Sequence, residues 1–235
     1  MSNNEELIDK YVTDSCVMFA RLGDHLTTLD ELRDSYKHTS LEQFGLKANP
    51  ASYGSTLHDI VLAHLERCDV HMGTYLRYAH VVLTYMVLED RLHAFGQLIL
   101  ATGRGAPFIP KKDKRKVSML VKFDAYLSCL SVVRPSTDAV DALRLIRNCI
   151  VHCRGYLADL DEGSREKLEI YLPNLFGIAL DRDDRLTLTT AGCLSLQDAA
   201  MEYIRAIDSS AGFNLWIPAD VRKNFEQRIR PSMSN

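Results

Sequence analysis

The sequence predicts a mainly α protein, a helical bundle with one small β-hairpin near the C-terminus. Three observations carry this expectation. Apolar residues recur at helical intervals over most of the 235 residues. Only one segment, "FGIALDRDDRLTLTT" at 176–190, contains β-compatible runs. The breakers Pro50 and Gly54, then Gly103, Gly105 and Pro107, then Pro135, fall between helical runs.

The composition excludes several classes. Hydrophobic residues make up 46% and charged residues 25%, ordinary values for a soluble globular protein. A net charge of −3 does not fit a protein that coats nucleic acid along its whole surface, so any such contact needs a local patch. Six cysteines are scattered without a CxxC pair, and residues 1–10 are polar and acidic rather than a secretory signal. A reduced, cytoplasmic setting is expected. The longest apolar stretch, "AHVVLTYMVL" at 79–88, is too short to span a bilayer, and no membrane partner is expected.

From the N-terminus, Leu7, Tyr11, Val12, Val17, Phe19 and Leu22 recur at helical spacing and predict a helix or helix pair ending near Tyr36. Residues 37–56 read as a looser connection. Residues 1–56 are thus expected to form an N-terminal helical extension, and 57–235 the main helical domain. A long helical signal runs over 57–101, with a bend expected near Gly73. Its section 76–100 is apolar almost all round and predicts a central buried helix. The basic run "PKKDKRK" at 110–116 follows. Most such runs are solvated loops, but Lys111, Lys112, Lys114, Arg115 and Lys116 are also candidates for phosphate contact.

Helices are expected at 116–131 and 137–154, separated by "RPST", where Pro135 and Ser136 suit a helix entry. "SREKLEIYL" at 164–172 predicts a short helix, and the hairpin should turn at Asp183–Asp184. Ser195 with Asp198 resembles a capping signal for a last helix at 195–208. The tail with Trp216 and Pro218 has no predicted place.

Chemistry concentrates in "LRLIRNCIVHCRGYL" at 143–157. At about 100° per residue, Ala139, Leu143, Ile146, Ile150 and Cys153 share one stripe, the core face. Asn148 and His152 lie nearly opposite, Arg144 continues their row, and Arg147 stands at its flank. Val151 lies among them, which points to partial burial against another surface. A polar face is ordinary for an amphipathic helix. The chemistry is nevertheless coherent. Histidine exchanges protons near neutral pH, arginine presents a planar fork to phosphate oxygens, and asparagine can orient either. Phosphodiester cleavage would suit such a set, with Arg147 meeting the developing charge.

Other chemistries fit less well. No carboxylate cluster accompanies the motif, as a two-metal nuclease requires. Cys149, His152 and Cys153 lack a second ligand pair, and Cys149 lies about 60° from His152 around the helix, so no metal is expected. "GRGAPF" at 103–108 is not a phosphate-binding glycine loop.

"RNCIVH" at 147–152 resembles the arginine, four residues, histidine motif of the HEPN superfamily of α-helical ribonucleases, including the asparagine after the arginine. "HVVLTYMVLEDRLHAF" at 80–95 is similar to that family's central helix, which carries an aromatic and aliphatic run ending in an acidic residue, here Glu89. The likeness covers about residues 57–160. It implies a bundle of HEPN type and a metal-independent RNA endonuclease without cofactor. It also implies a homodimer in which two motifs meet in one composite site. On that implication His152 is general acid or base, Arg147 stabilises the phosphate, Asn148 holds the geometry, and Glu89 and Arg144 are supporting residues. The family's members often act as toxins or antiviral-defence effectors, some with an antitoxin or regulatory partner. Others are non-catalytic modules that bind a nucleotide or a protein, which is the alternative reading here.

Overall fold

The chain opens with a single long helix, α1 (Asn3–Glu42). The structure is a computed structural model, and it describes residues 3–43, 45–46, 54–101, 119–129 and 138–211. The basic run at 111–116, the "RPST" turn at 134–137 and the tail with Trp216 and Pro218 lie outside these residues. The expected loosening after Tyr36 does not occur, because Lys37–Glu42 contains no breaker and has partners. Lys37 Nζ binds the Asp69 carboxylate at 2.7 Å, Ser40 Oγ lies 2.8 Å from His64 Nε2, and Leu41 is buried.

The helical signal over 57–101 resolves into α2 (Ser55–Glu66), a π-helical segment (Arg67–Met72) and α3 (Gly73–Ala101). The π-helical turn ends at Gly73, where the expected bend would fall, and the backbone there stays helical. A Cβ on Gly73 would stand 2.8 Å from Arg33 Nη1, so a larger residue there would push that guanidinium aside. One expectation needs correction: α3 is not buried all round. Val81, Tyr85 and Leu88 are buried, whereas Tyr75, Leu83 and Met86 are exposed. Apolar residues on every side of a helix therefore did not mean burial on every side; part of this surface stays apolar and open.

The remaining elements are α4 (Met119–Cys129), α5 (Asp138–Cys153), α6 (Glu162–Tyr171), β1 (Ile178–Leu180), β2 (Leu186–Leu188) and α7 (Thr190–Ala211). The chain is thus mainly α with one small hairpin near the C-terminus. Helix α6 starts ahead of Ser164 because Asp161 caps it, its carboxylate accepting the Ser164 N–H at 3.0 Å. Helix α7 is capped by Thr189, whose Oγ1 accepts the Gly192 N–H at 3.0 Å. Ser195, the expected cap, sits inside the helix.

The hairpin is antiparallel, with Ile178 opposite Leu188, Ala179 opposite Thr187 and Leu180 opposite Leu186. Ile178, Leu186 and Leu188 are buried and Ala179 and Thr187 exposed, the alternation of a strand with one face inward. The turn runs through Asp181–Arg185, and the Asp181 carboxylate accepts the N–H groups of Asp183 and Arg185.

Two compact units emerge, each assembled from separated segments. The first combines 1–17, 86–137 and 201–235. Its described core includes Tyr11, Leu92, Phe95, Phe123 and Leu127, with Phe95 and Phe123 edge to face at 6.0 Å. Tyr203 Oη donates to Asp124 at 2.8 Å in the same unit. The second combines 18–85 and 138–200, with Phe19, Leu26, Val81, Leu143, Ile146, Leu168 and Leu196 in its core. No helix among the described residues is long and apolar enough to cross a membrane.

Candidate functional site

The site grows from the amphipathic pattern of α5 and lies wholly within the second unit. Leu143, Leu145, Ile146, Cys149, Ile150 and Cys153 are buried, so the core face is wider than the single stripe read from the sequence. Ala139, at the exposed start of the helix, does not join it. Burial of the core face fixes the rotation of α5. It leaves Arg144, Arg147 and Asn148 half-buried, and Val151 and His152 exposed.

Arg147, Asn148 and His152 come together. Arg147 Nη1 donates to Asn148 Oδ1 at 3.0 Å and lies 3.5 Å from His152 Nε2. A guanidinium only donates, so a hydrogen bond across this gap would need the tautomer that leaves Nε2 as acceptor. Beneath them lies Tyr85 of α3, whose buried ring centre is 5.9 Å from Arg147 Cζ. Arg147 Nε is buried and makes no hydrogen bond among the described residues, and no carboxylate pairs with this guanidinium there. Tyr85 carries no mark in the sequence, where it reads as one more apolar position of α3.

Two expected supporters are occupied elsewhere. Arg144 is held by Asp141, one turn earlier, through two contacts of 2.7 Å. Glu89 belongs to the first unit, where its Oε1 accepts the Met119 N–H at 3.4 Å. Lys111, Lys112, Lys114, Arg115 and Lys116 lie outside the described residues.

The cysteines beside the motif are core groups. Burial pushes the Cys149 thiol up to about 12 and raises Cys153 as well, so both stay protonated near neutral pH. Among the described residues, no group of three or more His, Cys, Asp or Glu is placed to hold a metal ion.

The end of α5 was also not legible in full. Arg154 and Gly155 both take positive φ, 55° and 89°, and the Gly155 N–H donates back to the Cys149 carbonyl. A Cβ on Gly155 would fall 2.1 Å from Tyr78 Oη, which donates to the Leu186 carbonyl at 2.6 Å. Glycine therefore serves both the turn and the close approach of a tyrosine. Beyond it, Tyr156 bridges to Arg185, and the Leu186 N–H donates to the Gly155 carbonyl at 2.8 Å. The hairpin is thereby fastened to the end of the motif helix, and Arg185 is brought beside α3.

No protein-family model matches the chain, and no curated protein or solved structure is significantly similar to it.

Proposed function

We propose that the chain is a metal-independent RNA endonuclease of HEPN type, cleaving by attack of the ribose 2′-hydroxyl on the adjacent phosphate. One observation carries this reading: Arg147, free of any carboxylate among the described residues, lies against Asn148 and within 3.5 Å of His152 Nε2. A guanidinium without an anion, next to an exposed imidazole, is the pairing that a phosphate in cleavage requires.

In the reaction, one histidine takes the 2′-hydroxyl proton as the O2′–P bond forms. Arg147 stabilises the charge on the crowded phosphate. The P–O5′ bond breaks and the 5′-oxygen takes a proton from the histidine of a second copy. The products are a 2′,3′-cyclic phosphate and a 5′-hydroxyl. DNA, without the 2′-hydroxyl, is not cut. Exposure of His152 and Val151 on the same face is compatible with the homodimer that this scheme needs. The basic run at 111–116 is assigned to RNA phosphate contact on its charge alone. A cytoplasmic toxin or antiviral-defence effector, held by an antitoxin or other regulatory partner, is the role this activity fits.

Purified protein should cleave RNA in EDTA, leave cyclic-phosphate ends and lose this activity on His152→Ala. Equal cleavage by both proteins would reduce the face to a non-catalytic binding surface.

A further inference from the structure

A second feature of the same unit has no part in the cleavage scheme. Between α3, the end of α5 and Arg185 lies a cavity of about 690 Å³. Two guanidinium groups line it, Arg154 and Arg185, and no carboxylate does. Three tyrosines, Tyr75, Tyr78 and Tyr156, supply aromatic surface, and Val82, Leu83 and Ile150 form an aliphatic wall. The volume is that of a small-molecule site.

Arg185 is placed unlike a surface arginine, whereas Arg154 is exposed. Arg185 Cζ lies 5.6 Å from the ring centres of both Tyr78 and Tyr156, and its Nε is buried without a hydrogen-bond partner among the described residues. The guanidinium forms no ion pair among the described residues, and with its Nε unbonded it is incompletely satisfied, although the backbone N–H of Arg185 donates to the Asp181 carboxylate. Arg154 holds its side chain at the same cavity from a backbone of positive φ, where glycine would be at ease. Tyr75, Leu83 and Tyr156 meanwhile remain exposed, so this apolar surface is not closed by the fold itself.

A ligand that satisfies all of these groups needs a flat ring for the tyrosines and aliphatic wall, and an anion of phosphate type for the two arginines. Inorganic phosphate alone would leave the rings bare, and a neutral base alone would leave the cations unmatched. We propose that this cavity binds one nucleoside monophosphate unit, its base on the tyrosines and its phosphate on Arg154 and Arg185. His152 does not line the cavity. Arg154 directly follows α5, at the end of the helix that carries Arg147 and His152. The unit bound is either a free nucleotide or one residue of a single strand.

Calorimetric titration of the full chain tests the proposal, using AMP, adenosine, ribose 5-phosphate and a four-residue deoxyadenylate that cannot be cleaved through a 2′-hydroxyl. AMP should bind saturably, with adenosine and ribose 5-phosphate each weaker by about tenfold or more. Arg154→Gly, which removes the cation and relaxes the backbone, should weaken AMP by about tenfold. Leu83→Glu, a change at an exposed position that puts a carboxylate in the cavity, should do the same. Tighter binding of the tetranucleotide than of AMP assigns a strand subsite, and equal binding assigns a free nucleotide. The absence of saturable binding by both, or unchanged AMP affinity in both variants, overturns the proposal. Failure here is distinct from failure of the ribonuclease reading. A protein that cleaves RNA but does not bind AMP or the tetranucleotide loses only the subsite, and one that binds AMP but never cleaves loses only the nuclease.

Discussion

Two arginine clusters in the second unit differ in what holds them. Around Asp30, Arg33 and Arg77 are clamped by carboxylates: Arg33 contacts Asp30 at 2.7 Å and Asp34 at 2.8 Å, and Arg77 reaches Asp30 at 3.6 Å. Thr190 Oγ1 donates to Asp30 as well, tying α7 to α1. At the motif, Arg147 rests on the ring of Tyr85, and Arg185 lies beside Tyr78 and Tyr156, and neither guanidinium pairs with a carboxylate among the described residues. The first arrangement neutralises its cations within the fold. The second orients a cation by aromatic faces, which leaves the in-plane N–H groups for an anion from outside. Clamped arginines are structural; arginines resting on rings are available.

The distinction can be tested by what each substitution damages. Arg147→Ala and His152→Ala should lower RNA cleavage by about 1,000-fold. Their stability in urea should fall by less than about 1 kcal/mol. A stability loss from Arg147→Ala equal to that of an Asp30 variant would erase the contrast. Asp30→Asn should cost about 2 kcal/mol, because it removes the carboxylate that Arg77 reaches and one of the two that hold Arg33, and should leave cleavage by the folded fraction intact.

The histidines offer a parallel case. Burial drives His80 down to about 4, against a hydrogen bond with Gln197, whereas His152 is exposed. The native state holds His80 neutral and the unfolded chain does not, so its stabilising contribution is complete above about pH 6.5. It is lost as the pH falls toward 4, by about 3 kcal/mol. Urea unfolding across that range should show this slope in the wild type and a flatter one in His80→Gln; identical slopes would exonerate His80. A smaller loss than that at His80 is expected for Gly155→Ala. Positive φ and the contact with Tyr78 should remove about 2 kcal/mol, measured by thermal unfolding, and a neutral substitution would mean that the turn relaxes freely.

What the sequence disclosed and what it withheld follow a physical division. Periodicity located α5 to within a residue or so and separated Leu143 and Ile146 from Asn148 and His152, because which residues a helix buries depends on local spacing. The hairpin turn was legible from "LDRDDRL" for the same reason. The end of α1 was missed because partners distant in sequence, Asp69 and His64, stabilise Lys37 and Ser40. Tyr85 and Arg185 were missed for the same cause. Nothing in "LTYMVL" marks a tyrosine that will underlie an arginine many residues later, and nothing in "RDDRL" marks a cation bound for the space between two rings. Glu89 illustrates the converse: a suitable residue in a suitable helix is engaged with the Met119 amide.

The fastening of the hairpin to Gly155 also has a kinetic side. Strands of three residues each do not persist alone in water. The amides of Leu157 and Leu186 are instead bonded across the junction, to the carbonyls of Asp184 and Gly155. Their hydrogen exchange should therefore rise and fall together, as one opening unit that includes the last turn of α5. Each such opening would release Arg154 and Arg185 at once, so a ligand that bridges them would slow exchange at amides it does not touch.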